Sequence, residues 1–390
     1  MSASGMALQG ELVNRRVLVV FGTRPEAIKM APVVKALESQ DDFDVKVAVT
    51  AQHREMLDQV LELFDIVPNY DLDIMSAGQS LEQITSRVLE GMSAILKEAD
   101  FDIMLVHGDT TTTLAAALSA FYNQVPVGHI EAGLRSGNIY SPFPEEMNRK
   151  ITTDLASLHF APTSLNKQNL MHEGVPGQTI FVTGNTVIDA LHMIVNEEYE
   201  FDPDALAVDR ISGKKLILLT CHRRENWGTP MREIFSAIKD TVGNKPEYEI
   251  VFPVHPNPKV QNAAREAFEG VENIQLIAPL SYEAFSNLMS RAHLLLSDSG
   301  GVQEEAPALG KPVLVLRDTT ERPEAIEAGT VKLAGNNYKQ VREAIESVLN
   351  NQKTYEAMAQ AKNPYGDGTA SERIVEALRG LPLRRKSCDR

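Results

Sequence analysis

RVLVVFGTRPEAIKMAPVVKALESQ (16–40) decides the fold. Its apolar run, Val17 to Phe21, suits a strand covered on both faces, as parallel sheets require. Gly22 permits a sharp turn. Pro25 fits the first turn of a helix, where its missing N–H costs nothing. A buried strand, a glycine turn and a helix, in that order, open a βαβ unit.

The same grammar recurs. FDVKVAVTA (43–51), DIMLVHGD (102–109), PVGHIEA (126–132), LHFAPT (158–163) and TIFVTGN (179–185) are apolar runs separated by helical patterns. A second series contains KKLILLTCHR (214–223), YEIVFPVHP (248–256), NIQLIAPL (273–280), HLLLSDSG (293–300) and PVLVLRD (312–318). Between them the chain loses strand pattern and gains charge. These runs predict an α/β protein of two doubly wound Rossmann-like domains facing across a cleft, a common place for ligands. The expected boundaries are a leader at 1–15, an N-terminal domain at 16–195 and a linker at 196–213. A C-terminal domain at 214–368 follows, then a helix and tail at 369–390, the helix able to pack back on the N-terminal domain.

Composition excludes several functions. Against 38 basic residues stand 53 acidic ones, a net charge of −15, which argues against nucleic-acid binding but not against a small anion held by a few cations. No apolar run reaches membrane-spanning length, and the first residues lack the apolar core of a secretory signal. Two cysteines, Cys221 and Cys388, make no disulfide framework, so a reducing cytoplasm is expected. No histidine or cysteine pattern suggests a metal, and the dinucleotide fingerprint is absent, so no cofactor is expected.

Polar residues collect where strands end. Arg24 and Lys29 follow the first run, and His107 and Asp109 the run ending HGDTTTT. Asp109 either caps the next helix or stands free as a base. Glu131 either pairs with Arg135 or serves chemistry. Of Glu145 and Glu146, one is explained by the helix dipole. In the second series, His222 and Arg223 follow LILLTC, and His255 ends another strand. SDSGG (297–301) offers Ser299, Gly300 and Gly301 as a phosphate cradle. Glu305 could bond vicinal ribose hydroxyls, and Arg322 lies near the same edge. Cations in this pattern suit a diphosphate, and Asp109, Glu131 and Glu145 suit proton transfer.

GTRPEAIKMAP, QHREMLDQV, HGDTTTT, GHIEAGLR, PFPEEMNR, GNTVIDAL, HRREN, SDSGGVQEEAP, RDTTERPE and NPYGDG occur here in order. In these motifs the chain resembles bacterial non-hydrolysing UDP-N-acetylglucosamine 2-epimerases over residues 16–378. The resemblance implies a glycosyltransferase-B-like fold, a homodimer and interconversion of UDP-GlcNAc with UDP-ManNAc for surface polysaccharide synthesis. It implies catalytic roles for Asp109, Glu131, Glu145 and His222. It places Arg24 and Lys29 near the sugar and diphosphate and Arg322 on the sugar side; Arg223 and His255, at their strand ends, are further candidates for substrate binding. Ser299, Gly300 and Gly301 would meet the diphosphate, Glu305 the ribose and Phe285 the uracil. Gln52 and His53 match a site where some members bind a second, activating UDP-GlcNAc. Glu55 and Gly78 depart from the Gln and Arg of strongly regulated members.

Overall fold

The computed structural model describes residues 14–51, 54–76, 78–243 and 245–380. They form two compact units. One runs through Thr186 and resumes at Thr369, and the other is Val187–Gly368.

The first unit is built on strands β1 (Arg15–Phe21), β2 (Phe43–Val49), β3 (Tyr70–Asp71), β4 (Ile103–His107), β5 (Val127–Ile130), β6 (Leu158–Ala161) and β7 (Ile180–Val182). They lie in the order β3-β2-β1-β4-β5-β6-β7, with every pair parallel. Val17 to Phe21 are buried, with Val19 beside Val47 and Leu105 in register. Helices cover both faces, so the central strands can be apolar throughout. The helix Arg24–Glu38 starts as expected, with Pro25 in its first turn and Thr23 and Glu26 in a capping box. The last helix, Ala370–Arg379, belongs to this unit. Arg379 bonds Asp42 at 2.9 Å, and Arg373 donates to the Thr183 carbonyl at 2.9 Å.

The second unit contains β8 (Lys215–Thr220), β9 (Tyr248–Pro253), β10 (Ile274–Ile277), β11 (Leu294–Ser297), β12 (Val313–Val315) and β13 (Val331–Leu333). Their order is β10-β9-β8-β11-β12-β13, again parallel. Both sheets reverse strand order beside their first strand, between β1 and β4 and between β8 and β11. Loops diverge at such a switch point and leave a crevice at the carboxyl ends.

Residues 196–213, expected as a linker, belong to the second unit. The Asn196 N–H donates to Asn287 at 2.8 Å, and Ala207 N–H to Gln275 at 3.2 Å. Glu249 on β9 is fully buried, and its cations are Arg210 from this segment and Lys214 just after it, each at 2.7 Å. A buried carboxylate without such partners would cost several kcal/mol, about 3–5 on loss of a partner. Charge that reads as a solvated linker is therefore an anchor.

The turn after β5 depends on Gly133, at φ +92°, where a Cβ would meet the Asn166 carbonyl oxygen at 2.4 Å. Gly174 shares the left-handed conformation, at φ +89°, but has open space around it. Gly133→Ala is expected to cost roughly 2–4 kcal/mol, from strain plus overpacking. Gly174→Ala should cost only about 1 kcal/mol, and urea unfolding of both variants checks the difference.

Candidate active site

In the first unit, one buried carboxylate ties together the loops on either side of the switch point. Glu26 accepts from the Gly22 and Thr23 N–H groups at 3.0 and 2.8 Å and from the Thr23 hydroxyl at 2.8 Å. It also accepts from the Thr110 and Thr113 hydroxyls, at 2.6 and 3.1 Å, across the loop after β4. Burial pushes its carboxyl up, and these hydrogen bonds oppose the shift.

Thr110 caps the helix Thr111–Tyr122, its hydroxyl accepting from Thr113 N–H at 3.1 Å. Asp109 is therefore not the cap. Its carboxylate pairs with Arg149, and its main-chain carbonyl accepts from the Asn148 side chain at 2.9 Å. Burial raises the Asp109 carboxyl above its ordinary range, with Arg149 and Lys29 pulling it down and Glu131 pushing it up.

Glu131 follows β5 in a left-handed conformation, φ +60°. That conformation is uncommon for a residue other than glycine, Asn or Asp. Arg135 is not its partner, being held by Glu173 at 2.6 and 2.9 Å. Glu131 pairs instead with Lys29, accepts from the Asn185 side chain at 2.9 Å and lies 3.8 Å from His107 Nε2. Burial lowers the His107 pKa to about 4, so the ring is neutral at neutral pH.

The adjacent pair is also resolved. Glu146 is fully buried and accepts from the Ser136 and Gly137 N–H groups at 3.0 and 3.1 Å and from Arg149 at 3.1 Å. Glu145, half-buried in the first turn of the helix Glu145–Leu155, makes no hydrogen bond or ion pair among the described residues. Arg24, also half-buried, likewise has no such partner.

The second unit repeats the device. Asp298, fully buried after β11, accepts from the His222 and Arg223 N–H groups at 2.9 and 2.8 Å and from the Asn226 side chain at 3.0 Å. The loops after β8 and β11 are thereby joined. The His222 ring stacks on exposed His255, with centroids 5.6 Å apart and planes at 20°. Burial holds the His222 pKa below its usual value, against the pull of Asp298. A Cβ at Gly300 would lie 3.7 Å from Nη2 of both Arg223 and Arg322, so two guanidinium groups converge on a peptide without a side chain. Arg322 is braced by Glu304. Ser299 begins the helix Gly300–Glu305 without its hydroxyl capping it. Glu305 is buried and accepts from the Tyr282 hydroxyl at 2.8 Å, and its other oxygen is 3.5 Å from a Cβ placed on Gly301. Phe285 is half-buried on the same helix as Tyr282, Tyr282–Arg291.

The second unit thus brings Arg223 and Arg322 together at Gly300, with His222 just after β8 and Glu305 at the end of the helix that follows β11. The first brings together Lys29, Asp109 and Glu131, with Glu145 one helical turn from Arg149. Gln52 and His53 lie outside the described residues. Among the described residues no cluster of His, Cys, Asp and Glu could hold a metal, and no helix is long and apolar enough to cross a membrane. Cys221 is buried, which raises its thiol pKa and keeps it unreactive. Glu26, Arg149, Asn185, Asp298 and Tyr282 were not anticipated. Thr23 three residues before Glu26 is a capping-box signal, and Arg149 four residues after Glu145 shares its helix face. The others needed the fold.

Residues 35–379 match the family model described as UDP-N-acetylglucosamine 2-epimerase. The chain belongs to that family. It is 54% identical to the UDP-N-acetylglucosamine 2-epimerase of Yersinia pestis over 370 residues, 93% of this chain and 98% of that one. Identity to the Escherichia coli K12 enzyme of the same name is 53%, with the same coverage. A crystal structure of the Neisseria meningitidis enzyme bound to UDP-GlcNAc superposes with TM-score 0.82 at 49% identity, covering 94% of this chain and all of that one. This family member is an isomerase with two Rossmann-like units, a glycosyltransferase-B-like class.

Two outcomes test the geometry. Glu146→Gln should lose roughly 2–4 kcal/mol of stability, because it unbalances Arg149 in a buried site. Glu145→Gln should change unfolding by less than about 0.5 kcal/mol. A second test concerns His129, fully buried on β5, whose Nε2 meets the Gly108 carbonyl at 2.7 Å and whose pKa burial lowers to about 3. The folded chain keeps this ring neutral where the unfolded chain protonates it. Its contribution is full above pH ~6.5 and is lost as pH falls toward the folded value. His129→Gln should flatten the decline in unfolding free energy between pH 6 and 4.5 by roughly 1 kcal/mol per pH unit, read by denaturation at stepped pH.

Proposed function

We propose that the chain interconverts UDP-GlcNAc and UDP-ManNAc at C2 without hydrolysis, by anti elimination of UDP and its re-addition. The observation that supports this reading is the trio of carboxylates in the first unit: Asp109 and Glu131, each held by a cation, and Glu145, held by none among the described residues. Simple glycosyl transfer to an acceptor does not need three such acids.

The C2 proton of a pyranose is not adjacent to a carbonyl, so a base alone cannot remove it. Departure of UDP from C1 builds oxocarbenium character and makes that proton removable. Loss of both yields 2-acetamidoglucal and UDP. Protonation on the opposite C2 face and return of UDP to C1 then give the epimer. Arg223 and Arg322 would stabilise the leaving diphosphate, with Ser299, Gly300 and Gly301 lining it. Glu305 would hold the ribose and Phe285 the uracil. Arg24 and Lys29 would complete the cationic environment, and His255 would support His222. Asp109, Glu131, Glu145 and His222 would carry the protons. The same reading makes the protein a cytoplasmic homodimer that supplies ManNAc for surface polysaccharide.

Incubation with UDP-GlcNAc in D₂O, without acceptor or added cofactor, tests it. Deuterium at C2 of both UDP-sugars is the expected result, followed by NMR and mass spectrometry. Release of free ManNAc would instead indicate hydrolysis, and absence of exchange would reject the epimerase reading. Asp109→Asn, Glu131→Gln and His222→Asn should each slow exchange by roughly 10²–10⁴-fold.

A further inference from the structure

The helix Glu145–Leu155 carries more than one carboxylate. Glu146 fixes its start to the Ser136–Gly137 turn, and Asn148 and Arg149 both reach Asp109, at its carbonyl and its carboxylate. Arg149 is mostly buried, its side chain 11% exposed, and it bridges the two acids: one terminal nitrogen on Asp109 Oδ2, the other 3.1 Å from Glu146 Oε2. A guanidinium held at both ends is a rigid plane with little rotamer freedom left to lose. Asp109 Oδ1 receives no donor among the described residues.

We propose that Arg149 is a positioning residue for the reaction: anchored on buried Glu146, it fixes one Asp109 oxygen and leaves the other as a proton acceptor. This rests on the epimerase reading above. The charged groups facing Asp109 are Arg149 from this helix, Glu131 from the end of β5 and Lys29 from the helix Arg24–Glu38. Glu131 and Lys29 are paired with each other, so their effects on Asp109 largely offset. Arg149 is then the cation that pulls the Asp109 carboxyl down against the burial that raises it. Acting through Asp109, Arg149 has no need to touch the substrate. Its loss should alter turnover and pH dependence rather than the grip on UDP, for which it is not a proposed contact.

The test compares Arg149→Met and Arg149→Lys with the wild-type enzyme, using C2 deuterium exchange and steady-state turnover across pH. Arg149→Met should lower kcat by roughly 10²–10³-fold, with KM and UDP affinity within about threefold. Its acid limb of kcat/KM should move to higher pH by about one unit or more, the sign expected when a carboxylate loses its cation. Arg149→Lys, which restores a charge but not the bridge, should recover at least about tenfold in kcat and reverse most of the shift. If Arg149→Met fails to fold, the double variant Glu146→Gln with Arg149→Met removes the uncompensated buried acid, and the same readouts apply. An unmoved acid limb, equal losses in the Met and Lys variants, or a proportionate rise in KM would overturn the positioning role. A wild-type enzyme that exchanges normally beside a Met variant within threefold of it would overturn this inference alone, and a wild type that fails to exchange would overturn both.

Discussion

A buried carboxylate at each switch point holds the chemistry-bearing loops in place. In the first unit Glu26 accepts from residues on both sides, Gly22 and Thr23 after β1 and Thr110 and Thr113 after β4. In the second, Asp298 accepts from His222 and Arg223 after β8 while itself following β11. A carboxylate removed from water costs several kcal/mol unless its lone pairs are met. Neither loop of a pair can move away without exposing that cost. Arg24 and Asp109 are therefore coupled in one unit, as His222 and Ser299 are in the other.

A second constraint follows from charge. A chain with net charge −15 must still present cations to an anion. Arg322 is braced by Glu304, Lys29 by Glu131, and Arg149 by Asp109 and Glu146. Each brace costs the cation some of its field but removes side-chain freedom that ligand binding would otherwise have to remove. Long-range attraction is weak under such a net charge, and positioning takes its place.

The architecture was legible because its signals are local. Val17 to Phe21 read as a covered parallel strand, and the turn at Gly22 with Pro25 read as a helix entry. Most candidate site residues were chosen by one rule, that unusual polar residues at strand carboxyl ends are not packing. The rule did not separate Asp109 from Thr110 as the cap, nor Glu145 from Glu146, since each pair shares composition and position. It also read 196–213 as a linker, because partners such as Glu249 and Gln275 are distant in sequence.

Sequence alone determined the strand and helix periodicities, the absence of a dinucleotide fingerprint, the family resemblance and the set of acids and cations at strand ends. Tertiary structure decided how each acid is held: Glu145 without a partner among the described residues, Glu146 buried, Asp109 on Arg149, Glu131 on Lys29 rather than Arg135. The physical reason is range. Periodicity and turn chemistry act over a few residues, whereas the state of a carboxylate depends on burial and on donors brought from far along the chain, as Lys29 is to Glu131 across 102 residues.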